Sequence, residues 1–133
     1  MSDDTAEIVL PFGRQVHPIV YQCMAQIEED WRQNGTPAFF IWKAPDGSEP
    51  IRAAKRLTVG DCEELCEFHM RRGESAYKRF RKNPASRSSP ATAARHFMLA
   101  RYARCIYCEI LGIEKTDSNL PSRTPAETSQ TNG

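Results

Sequence analysis

The sequence predicts a small α+β domain with an N-terminal strand, an amphipathic helix, a β-hairpin, an antiparallel pair of C-terminal helices and a disordered tail. Three observations carry this. An apolar stripe with helical period runs over 20–31. An aromatic and β-branched run is followed by turn residues at 38–48. Two helix-period segments, 61–82 and 90–111, flank the loop "NPASRSSP".

Each element follows from local chemistry. "AEIVLPF" (6–12) has the composition of a short strand, with Pro11 placing it at an edge or ending it. Val20, Cys23, Met24, Ile27 and Trp31 recur at the spacing of one helix face, while Glu28, Glu29, Asp30 and Arg32 take the other side. Pro18 suits the first turn of this helix and Gly35 its end. "AFFIW" reads as a strand, "PDGS" as a turn and "PIRAAKRLT" as the returning strand, a hairpin over 38–57. Thr58 or Asp61 can cap the next helix, and Glu63 and Glu64 sit where its dipole favours anions. Cys62, Leu65, Cys66 and His69 form its stripe, and Gly73 interrupts the pattern before "ESAYKRFRK" resumes it. Ser89 is placed to cap the last helix, with Pro90 at its first position and Gly112 as its stop. The main apolar stripe of that helix is Leu99, Tyr102, Ala103, Ile106 and Ile110. From Lys115 the chain is rich in Ser, Thr and Pro without apolar period. We therefore expect one globular domain over 1–114 and a disordered tail over 115–133.

Four of five cysteines fall in two pairs, Cys62/Cys66 and Cys105/Cys108. Residues three or four apart share a helix face. If the two helices fold back on one another, both pairs lie at the same end of the hairpin. Four thiolates there would make a tetrahedral zinc site. Against this, such pairs usually sit on tight turns, Leu65 shares the stripe of Cys62 and Cys66, and Cys105 and Cys108 lie roughly opposite the main stripe of their helix. The expectation is therefore reduced, metal-free cysteines and no cofactor, with zinc on Cys62, Cys66, Cys105 and Cys108 as the second reading. His69 is an alternative ligand or, more commonly, a satisfied helix histidine.

Charge is unevenly placed. Residues 71–104 carry ten basic residues against one acid, while the rest of the chain has eight basic and sixteen acidic residues. A cluster of this kind suits phosphate, because neutralising phosphates releases condensed counterions. Arg71, Arg72, Lys78, Arg79, Arg81, Lys82, Arg87 and Arg95 are the candidate nucleic-acid contacts. Tyr77 and Phe80, interleaved with cations in "YKRFRK", are candidates for stacking on unpaired bases or for anchoring the helix on the core.

No phosphate-cradling glycine loop, nucleophile elbow or His-Glu-x-x-His motif is present. The expectation is a non-enzymatic binding or regulatory protein acting on nucleic acid. The second reading is an accessory or inhibitory protein whose partner is another protein, through its acidic first helix or its basic face. No apolar run reaches membrane-spanning length, and the acidic N-terminus lacks the pattern of a signal peptide, so a cytoplasmic location without a membrane partner is expected.

Overall fold

In the computed structural model, the described residues are 15–41, 47, 51–85 and 88–113. They form three helices and one small hairpin: α1 (Pro18–Asn34), β1 (Phe39–Ile41), β2 (Ile51–Ala53), a 3-10 turn (Ala54–Arg56), α2 (Val59–Lys82) and α3 (Ser88–Leu111). This is a mostly helical small α+β fold. The expected strand over 6–12 and the expected tail from 115 lie outside the described residues.

The first helix forms where its stripe and caps require. Pro18 occupies its first turn, where a missing N–H is harmless. His17 precedes it, and its Nδ1 accepts from Ile19 N at 3.1 Å. Gly35 closes the helix, its N–H donating to Trp31 O. Val20 and Met24 are fully buried, and Cys23, Ile27 and Trp31 pack partly buried beside them. Burying side chains of this size contributes about 1.5–3 kcal/mol each. The acids stay on the wet side, where Glu28 and Glu29 pair with Arg32.

β1 and β2 pair antiparallel, with Phe40 opposite Arg52. Gly47 has φ +91°, the left-handed conformation that the "PDGS" turn assigns to glycine. The returning strand is shorter than expected, because the chain coils into the 3-10 turn at Ala54. Phe40 alternates inward and stacks on Tyr102 at 5.3 Å, and the Tyr102 hydroxyl donates to Pro37 O at 3.1 Å. One tyrosine of α3 thus fastens the hairpin.

Thr58 and Asp61 both serve α2, as a capping box. Thr58 Oγ1 accepts from Asp61 N at 3.0 Å, and Asp61 Oδ2 accepts from Thr58 N at 3.1 Å. α2 then runs unbroken past Gly73, which does not kink it. A methyl group at Gly73 would stand 2.6 Å from the Phe97 ring. Glycine is present so that α3 can approach.

α3 lies between α1 and α2, with its larger interface on α2. The main stripe expected of it is therefore joined by a second packing surface. Ala103 and Ile106 are buried, but so are Ala93, Phe97, Ala100 and Cys108, whereas Ile110 is largely exposed. A helix packed on two sides needs apolar residues on both. α2 and α3 run antiparallel, as their short connection implies, and Gly73 meets Phe97 near mid-helix. The N-terminus of α1 is tied to the far end of α2. His17 N donates to the Tyr77 hydroxyl at 2.8 Å, and the His17 ring stands edge-on to Phe80 at 5.2 Å. No described helix is long and apolar enough to cross a membrane.

Gly73→Ala tests the contact between α2 and α3. Helix propensity alone predicts a gain of about 1 kcal/mol. We expect a net loss of about 1–3 kcal/mol in urea unfolding, because Phe97 is fully buried and has nowhere to retreat. A neutral or stabilising outcome would refute the close approach.

Candidate nucleic-acid interface

The basic segment divides once folded. Arg71, Arg72, Lys78, Arg79, Arg81 and Lys82 all lie exposed on α2, over the half of the helix turned from the core. They extend about 16 Å along its axis. Arg95 on α3 is also exposed, and Arg87 lies outside the described residues. Arg101 is half-buried, and Arg104 is 2% exposed and engaged inside the fold, so neither joins the face. The one acid of the segment, Glu74, is half-buried. Arg71 meets Glu67 at 3.3 Å on the surface, where such pairs contribute little.

Aromatic rings order some of these cations. The guanidinium of Arg72 lies over Phe68 at 5.1 Å, and that of Arg81 over Tyr77 at 5.8 Å. Tyr77 and Phe80 are themselves buried. They anchor α2 to the core and are not surfaces for base stacking.

Cys62 and Cys66 near the start of α2 and Cys108 near the end of α3 are all fully buried, and Cys62 and Cys108 both lie close enough to Tyr107 to act on its phenol. Cys105, one turn before Cys108, is only half-buried and sits beside Arg101 in a depression also lined by Trp31, Leu57 and Tyr102. Burial, with Asp61 and Glu63 nearby, pushes the Cys62 thiol up to about 12, which favours the neutral thiol over a metal-binding thiolate. The Tyr107 phenol is also held above its usual range by burial and then by Glu63, Cys108 and Cys62. Among the described residues, no three His, Cys, Asp or Glu side chains gather closely enough to hold a metal ion.

Folding builds a feature that residue spacing did not reveal. His69 of α2 and His96 of α3 stack at 5.2 Å, with their Nδ1 atoms 3.0 Å apart. One ring must donate and the other accept, so at least one is neutral. His69 is 3% exposed, between Phe40 and Phe68. Its burial, with His96, Arg72 and Arg95 adding repulsion, draws its pKa down to about 3. His96 is lowered by burial and by the same two arginines. The His69 Nε2 is buried and has no hydrogen-bond partner among the described residues. The only hint in the chain was that His69 shares the stripe of Cys62 and Cys66. Its pairing with His96 depends on how two helices register.

His69 also lines a cavity of about 520 Å³ between α1, β1 and α3. Trp31, Phe39 and Phe40 supply aromatic walls, and Asp30 and Arg95 supply charge. Phe39 and Ile41 are 60% and 59% exposed, as β1 turns alternate residues outward. No protein-family model matches the chain, and no curated protein or solved structure matches it either.

Two predictions follow from burial. A histidine with a lowered native pKa binds protons less readily than in the unfolded chain, so stability falls as pH drops from about 6.5 towards 3. Between pH 6 and 4, His69 should contribute a slope of about 1.4 kcal/mol per pH unit that His69→Leu removes. Parallel stability–pH curves for the two proteins would exclude this. In the native protein, a thiol reagent should label Cys23 and Cys105 well before Cys62, Cys66 and Cys108. Mass spectrometry of the labelled peptides checks the order.

Proposed function

We propose that this chain is a small, non-enzymatic, cytoplasmic binding or regulatory protein whose basic α2 face, extended by Arg95, grips the phosphate backbone of nucleic acid. The observation that carries this reading is the placement of six exposed cations between Arg71 and Lys82. A rigid helix holds them, so little side-chain order beyond the rotamers is needed on binding. Cation–π contacts at Phe68 and Tyr77 limit even that. Phosphate contacts position a ligand without selecting its sequence.

A second reading has its own support. Phe39, Ile41 and Ile51 leave an exposed apolar side on the hairpin, and Ile51 is 63% exposed opposite Ile41. Such a side suits an accessory or inhibitory protein that docks on another protein, with the basic face meeting an acidic partner surface.

Binding to nucleic acid should weaken steeply with salt. Replacing Lys78, Arg79, Arg81 and Lys82 by Ala should reduce the slope of log K against log salt by about 3 to 4, with the fold intact by circular dichroism. Lack of binding to DNA or RNA of either strandedness at low salt would leave the protein-partner reading in its place.

A further inference from the structure

We infer that the cavity between α1, β1 and α3 receives one unpaired base of a single-stranded nucleic acid, whose adjoining phosphates lie on Arg95 and Arg72. This rests on the nucleic-acid reading above and assigns the base-contacting part of that site. It also replaces Tyr77 and Phe80, which are buried, with aromatics that a ligand can reach.

Three features point to a base as occupant. The walls are aromatic and accessible: Phe39 is exposed on the hairpin, and Trp31 is half-buried against Tyr102 at 5.7 Å. Bases stack on such rings irrespective of sequence. The polar groups match a base edge. The His69 ring lines the cavity, with its partnerless Nε2 buried behind that surface. Asp30 adds a carboxylate acceptor for an amino or imino N–H, and Asn34 orients it by donating to Oδ1 at 2.8 Å. The volume lies within the usual range for a small-ligand site.

The fourth feature is continuity with the basic face. Arg95 lines the cavity, and the charges of Arg95 and Arg72 are both felt at His69 and His96. Arg72 and Arg79 lie two turns apart on one flank of α2, so the cations continue from the cavity mouth along the helix. A backbone following that line can turn a base into the cavity only if the base is unpaired.

The test compares a labelled single strand of about ten nucleotides with its duplex at equal salt, using the full chain and fluorescence anisotropy. The single strand should bind at least about tenfold tighter. Phe39→Ala should weaken single-strand binding about ten- to hundredfold and leave the salt slope unchanged. It should leave duplex binding and the melting temperature as they were, because Phe39 is exposed. Arg95→Ala should weaken binding and lower the salt slope by about 1. Equal binding of both forms, indifferent to Phe39→Ala, overturns the base site while the phosphate-binding face stands. No binding of either form overturns both. A protein complex weakened by Phe39→Ala, with both nucleic-acid isotherms unmoved, assigns the cavity to a protein partner and overturns the inference.

Discussion

The approach of α2 to α3 at Gly73 sets the geometry on which the other contacts depend. The Phe97 ring occupies the space that a methyl group at residue 73 would need. Two 24-residue helices therefore pack closely at that level, and their antiparallel register is fixed there. Cys62 then lies near Cys108 and Tyr107 at one end. At the other, Tyr77 reaches both Phe97 and the backbone of His17. His69 and His96, 27 residues apart, meet between these levels. With one side of α3 committed to α2, α1 packs on the side that carries Leu99, Tyr102 and Ile106.

The same packing sorts the charges. Cations on the outer half of α2 remain in water, where they are inexpensive to ionise, and Arg104 turns inward. Glu28 and Glu29 of α1 engage Arg32 of their own helix. At the His69–His96 pair the balance differs. Burial and two nearby arginines disfavour added positive charge, so neutral rings are held in a positive setting. That setting, beside aromatic walls, distinguishes the cavity from an ordinary apolar groove.

Much of the fold is legible locally. The stripe from Val20 to Trp31, the capping box at Thr58 and Asp61, the turn at Gly47 and the end of α3 at Gly112 are written in residues a few positions apart. Backbone sterics, capping hydrogen bonds and helical period act over that range, so the chain alone determines three helices, a hairpin and an uneven charge. Cys62 and Cys108 at one end of the helical pair were also within reach, because a short connection forces antiparallel packing.

The candidate site was less legible, because helical period says which residues share a face but not which faces are covered. Tyr77 and Phe80 suit stacking or anchoring equally until α3 and His17 close over them. Arg104 reads as one more cation until it falls inside the fold, and Cys105 and Cys108 look alike until packing buries Cys108 and leaves Cys105 half-covered. Gly73 resembles an interruption until Phe97 fills the space beside it. The pairing of His69 with His96, and the cavity that joins His69 to Arg95 and Phe39, require three elements in fixed register. Composition and local period determined the elements and the charge of this protein. Only tertiary packing decided which side chains meet, because that depends on distances between segments that no local interaction sets.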